Sequence, residues 1–100
     1  MIIISPYCKP LRNGKPNAKD YPYWKELINL LDKPVVQIGI PGEEPLVPDF
    51  RTVSFPKLRE LVSEMDFFIA VDNFFPHFCH YYGKRGVVLF SKSDPNIFGY

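Results

Sequence analysis

The sequence predicts an α/β domain: a mostly parallel sheet of four to five strands, with helices on both faces, in a single small domain. Two observations predict it. Continuous apolar runs recur at Ile2-Ile3-Ile4, Val35 to Ile40, Phe67 to Val71 and Val87 to Phe90, and strands covered on both faces read this way, without polar alternation. Between them lie stretches with helical apolar spacing, giving the order β, α, β, short β, α, β, α, β. Strands alternating with helices require crossovers, and right-handed crossovers build a parallel sheet.

The elements follow in order. Ile2-Ile3-Ile4 opens the chain as a buried strand, and Pro6 to Lys19 is a loop rich in Pro, Asn, Gly and Lys. Asp20 caps a helix starting near Pro22 and running to about Leu31. Trp24, Leu27, Ile28 and Leu31 recur at i, i+3, i+4, i+7 as its buried stripe. Asp32-Lys33-Pro34 ends it. Val35 to Ile40 is the second strand, Gly39 to Pro48 a loop, and Asp49-Phe50-Arg51 a short third strand. Ser54 caps a helix with Pro56 in its first turn, and Leu58, Leu61, Val62 and Met65 form its apolar side. Phe67 to Val71 is the next strand. A short helix with Pro76 in its first turn reaches Tyr82, Gly83 to Gly86 turns, and Val87 to Phe90 is the last strand.

One hundred residues suit one domain with its own core. A net charge of +1 lacks the basic excess of a general nucleic-acid binder. Two cysteines, Cys8 and Cys79, are too few for a disulfide framework. Reduced thiols and no signal peptide lead to the expectation of a cytoplasmic chain. No apolar run approaches the ~20 residues of a membrane span, so no transmembrane segment is expected.

In a parallel sheet, ligands bind beyond the carboxyl ends of the strands. Four loops therefore matter: Ser5–Lys19, Gly39–Pro48, Asp72–Pro76 and Ser91–Asp94. Asp72-Asn73-Phe74-Phe75-Pro76-His77 places a carboxylate at a strand end and a helix start just after it. Helix-start N–H groups attract an anion such as a phosphate, although Asp72 or Asn73 also reads simply as a helix cap. Glu43 and Glu44 can accept hydrogen bonds from a ribose diol, or form a solvated pair in a polar turn. Lys9, Arg12, Lys15 and Lys19 put four cations in one loop. They suit a diphosphate or serve solubility. His77, Cys79 and His80 lack the further ligands of a closed zinc site, so no metal is expected. Phe78 and Tyr81 suggest a packed setting for Cys79, and hence not a nucleophile.

With these residues in hand, the chain resembles the C-terminal, nucleotide-sugar-binding half of a GT-B glycosyltransferase, nearest to the ADP-heptose:lipopolysaccharide heptosyltransferase family. The pieces that carry the resemblance are Lys19-Asp20-Tyr21-Pro22, Gly39 to Glu44, Leu58 to Met65, Asp72 to His77 and Val87 to Pro95. They span nearly the whole chain in the family's order. The family's Asp-to-His interval is kept between Asp72 and His77. Its glycine is replaced by Phe74 and its small hydroxyl residue by Asn73.

The resemblance implies a Rossmann-like domain over residues 1–100, one half of a two-domain enzyme. It implies Lys19 near the diphosphate and Glu43 or Glu44 on the ribose. Asp72 would lie near the donor sugar or its phosphates, with the Asn73 and Phe74 N–H groups on the diphosphate and His77 in support. The implied partners are a nucleoside diphosphate sugar and, through a separate domain, a glycan or lipopolysaccharide-type acceptor. No cofactor is implied, and the catalytic base belongs to the other half, so this chain alone is expected to be inactive in transfer. Its end at Gly99-Tyr100, without a closing helix, is read as a fragment's end.

Two rival readings stand beside it. One is a non-catalytic α/β module that binds a protein through an exposed patch of Phe74, Phe75, Phe78, Tyr81 and Tyr82. The other is a flavodoxin-like or receiver-like domain. A receiver needs an acidic pair after its first strand, and Ser5-Pro6 supplies none.

Overall fold

The computed structural model describes residues 1–7, 23–89 and 98–99. The elements are β1 (Ile2–Ser5), α1 (Trp24–Asn29), β2 (Val35–Ile38), β3 (Phe50–Arg51), α2 (Phe55–Glu64), β4 (Phe67–Val71), α3 (Phe74–Tyr81), β5 (Gly86–Leu89) and β6 (Phe98–Gly99). They build one sheet in the order β3-β2-β1-β4-β5-β6. The first five strands are parallel and β6 runs antiparallel to β5. The predicted α/β class with a Rossmann-like, mostly parallel sheet is therefore the observed one. β6 is an addition that two residues after a polar loop do not announce.

The apolar runs form strands because each side of the sheet has its own cover. Ile3, Val36 and Phe68 lie in register and point to one face, where Leu58, Val62 and Met65 of the α2 segment and Phe75 and Cys79 of α3 close over them. Ile2, Ile4 and Ile69 point to the other face, beneath Trp24, Leu27 and Ile28 of α1. The chain steps from β1 to β2 and β3 in one direction, then returns across β1 to β4. A constant crossover hand therefore demands covers on opposite faces. The β2–β3 connection carries no helix, and Leu46 and Val47 of its loop fill the cover beside α1.

Several boundaries move for local reasons. The first described helix spans Trp24–Asn29, and the Leu30 and Leu31 N–H groups tighten its end onto the Leu27 and Ile28 carbonyls. Asp20 and Pro22, read as its start, lie outside the described residues. Ser54 occupies the cap position of α2 but makes no side-chain cap bond. The third helix begins at Phe74, two residues before Pro76, because Asn73 caps it. Its end is a Schellman turn. Gly83 takes φ +73°, its N–H donates to His80 O, and Lys84 N–H donates to Cys79 O.

Gly86 opens β5 opposite Phe68. A Cβ at Gly86 would land on the Phe68 carbonyl and ring. The missing side chain is what lets that ring sit against β5 at this position. On α3, Phe75 and Cys79 share the inward side, and both are fully buried. Phe75 therefore leaves the exposed patch expected of it and joins the core, since residues four apart share a helix face. No helix among the described residues is long and apolar enough to cross a membrane.

Candidate functional site

Five parallel strands bring their carboxyl ends to one rim. Ser5-Pro6-Tyr7, Gly39 to Glu44 and Asp72-Asn73 therefore meet there. Between β1 and β4 the connections diverge to opposite faces, the switch point at which sheets of this kind bind ligands. Glu43, Glu44 and Asp72 stand in the segments that follow β2 and β4 on this rim.

A hydrogen-bonded belt ties the three tips together. Asn73 Oδ1 accepts from Phe75 N–H at 2.9 Å, and its Nδ2 donates to Ser5 Oγ and to Tyr7 O, both at 3.0 Å. The Tyr7 hydroxyl donates to the Glu44 carbonyl at 3.1 Å. The same carbonyl accepts from Gln37 Nε2 at 3.1 Å, while Gln37 Oε1 accepts from Leu46 N–H at 2.6 Å. Gln37 is the polar residue at the centre of this arrangement and is 0% exposed. Buried amides of this kind must spend both ends on partners. Here those partners are the backbone of the loop that carries Glu43 and Glu44.

The predicted residues among those described take the following places. Asn73 is a helix cap and a clamp between β4 and β1, and its own N–H donates to Val71 O at 2.8 Å. Phe74 heads α3 and is 53% exposed, its ring edge-on to Phe55 at 6.1 Å. That ring leans toward α2. Glu43 Oε1 accepts from Ile40 N–H at 3.0 Å and closes its own turn, in which Gly42 takes φ +96°. The Glu44 carboxylate is exposed and makes no hydrogen bond or ion pair among the described residues. Asp72 is half-buried at the rim and His77 is exposed on α3. Lys19 lies outside the described residues, as do Lys9, Arg12, Lys15, Cys8 and Ser91 to Asp94.

Sequence reasoning passed over Tyr7 and Gln37. Gln37 was discoverable as the one amide inside the run Val35-Val36-Gln37-Ile38. Tyr7 carried no signal beyond standing just past the first strand.

Among the described residues, no three His, Cys, Asp or Glu side chains gather as a metal set. Burial pushes the Cys79 thiol up to about 12, so it stays protonated at neutral pH. What the rim offers a ligand is carboxylates for hydroxyl groups and a tyrosine ring, while the Asn73 N–H expected on the diphosphate is spent on Val71 O.

The clamp has a measurable consequence. Asn73→Ala removes the cap and both ties to the β1 tip, and is expected to cost about 2–3 kcal/mol. Asn73→Asp keeps the cap acceptor and loses the donors, so it is expected to fall between wild type and alanine. Urea unfolding measures both; a loss below about 0.5 kcal/mol for alanine would show that Asn73 does not clamp β4 to β1.

Fold and rim together define the class: an α/β domain of Rossmann-like topology with a switch point between β1 and β4. No protein-family model matches the chain, and comparison with curated proteins and with solved structures gave no match.

Proposed function

We propose that the chain is the donor-binding half of a glycosyltransferase, holding a nucleoside diphosphate sugar in the crevice between β1 and β4. The observation that carries this reading is the reversal of the strand connections beside β1, with Tyr7, Glu44 and Asp72 on the same rim. The Glu44 carboxylate suits the ribose hydroxyls at the tip of β2. Asp72 suits the hydroxyls of the sugar, since a carboxylate accepts from hydroxyls and repels phosphates. Lys19 supplies the cation for the diphosphate, in keeping with the sequence resemblance. The chain's share of catalysis is stabilisation of charge on the leaving diphosphate. The acceptor glycan and the catalytic base come from a separate domain.

Calorimetric titration with ADP, GDP and UDP and their hexose conjugates tests this. One nucleoside diphosphate is expected to bind with a Kd between about 1 μM and 1 mM. Lys19→Ala is expected to weaken it about tenfold and make it less salt-sensitive. Glu44→Ala should weaken the nucleotide but leave inorganic pyrophosphate unaffected. A folded sample giving no heat with any of the three diphosphates overturns the reading.

A further inference from the structure

We propose that the groove between α2 and α3 is a docking site for an acidic, proline-containing segment of a partner protein. This site lies on the outer helical face, apart from the strand-tip crevice, and does not depend on the ligand read there.

The groove is an open trough of about 540 Å³ whose lining includes Phe55, Arg59, Glu60, Ser63, Phe78 and Tyr82. Its apolar surface is a row of rings. Phe55 stacks on Phe78 at 5.9 Å between centroids, and Phe78 meets Tyr82 at 5.1 Å. Phe55 is 66% and Tyr82 39% exposed. The helices present this row because Phe55 and Arg59 on α2, and likewise Phe78 on α3 and its C-cap Tyr82, stand four residues apart.

Charge decides the occupant. Glu60, the acid of the groove, pairs with Lys57 at 3.7 Å. The Arg59 guanidinium lies 5.3 Å from the Tyr82 ring centroid and has no carboxylate partner among the described residues. Lys84 reaches in from the turn after α3, donating to Ser63 O at 3.3 Å, and it too lacks a carboxylate among the described residues. The acid is compensated and two cations are not, so the surplus is positive and a segment bearing Asp or Glu completes it. The ring on Arg59 holds the guanidinium in place before any partner arrives. Proline fits the remainder. Aromatic-lined grooves take extended proline-containing segments, whose stiffness reduces the ordering cost of binding.

The test pans a random twelve-residue peptide library on the immobilised full-length chain, then measures the selected peptides by fluorescence polarisation. Selected sequences are expected to carry net negative charge and at least one proline, and enrichment of acidic sequences without proline overturns that part of the proposal. Arg59→Glu and Lys84→Glu, both surface changes, are each expected to weaken them about tenfold or more, and added salt to weaken them further. Circular dichroism melts establish that both variants are folded. The proposal is overturned if no sequence is enriched, if the enriched ones are neutral or basic, or if both folded variants bind as wild type does. It is equally overturned if sedimentation shows a dimer that Tyr82→Ala dissolves, because the groove then belongs to a second copy of this chain.

Discussion

Phe75→Ala is expected to destabilise the protein by about 3–5 kcal/mol, the usual range for emptying a buried phenylalanine site. The ring is wholly buried where α3 meets the sheet. It lies edge-on to Phe68 at 5.8 Å and stacked with Phe78 at 6.4 Å. Neither neighbour can move in, since Phe68 is held by its strand over Gly86 and Phe78 belongs to the outer row of rings. A domain of this size has roughly 5–15 kcal/mol in total. The loss is therefore a large fraction of the total, with a melting temperature lower by roughly 12 °C or more. Phe75→Leu fills most of the space and is expected to cost less than half as much. Thermal and urea melts measure both. An alanine variant within about 1 kcal/mol of wild type would mean that Phe75 is not the anchor of α3.

Gln37→Leu is expected to cost about 2–4 kcal/mol, although leucine is the more apolar residue. The substitution takes the acceptor from the Leu46 N–H, on a half-buried residue, and one of two donors from the Glu44 carbonyl, and the loss of a partner costs about 1–3 kcal/mol where water does not replace it. The Glu44 carbonyl keeps one donor, the Tyr7 hydroxyl. The Leu46 N–H keeps none among those described, so it should dominate. Hydrogen exchange at Leu46 is expected to speed up far more than exchange at Val36 or Ile69. If the nucleotide proposal holds, nucleotide affinity should fall as well, because the Glu44 turn is no longer pinned to β2. Unchanged stability together with unchanged exchange at Leu46 would show that the loop is held by other contacts.

The crevice and the groove respond to different substitutions. Asn73 and Gln37 act through the backbone of the rim, whereas Arg59 and Lys84 act through charge on the helical face. A change that affects diphosphate binding and leaves peptide binding intact, or the reverse, separates the two sites.

Much of the architecture was legible in the residues themselves. Ile2-Ile3-Ile4 and Phe67 to Val71 lack polar alternation, so each had to be covered on both faces, and that alone selects a parallel sheet between helices. The stripes in α1 and α2 were equally plain. Their spacing places the buried side chains correctly even though the ends of α1 shifted by one or two residues. Local chemistry also identified the segment from Asp72 to His77 as a strand end followed by a helix.

Other features depend on partners distant in sequence. Asn73 reads equally as a cap or as an anion site until Ser5 and Tyr7, sixty-six or more residues away, are set beside it. Gln37 is an oddity in an apolar run until the loop folds back over it. Phe75 and Phe78 look alike as letters, and only the direction of the sheet decides which enters the core and which lines the outer groove. Spacing and polarity along the chain, which are local, thus determined the class of fold and the positions of its elements. Strand order, the rim belt and the charged aromatic groove were decided by tertiary structure, because a hydrogen bond or ion pair exists only once both of its ends occupy the same place.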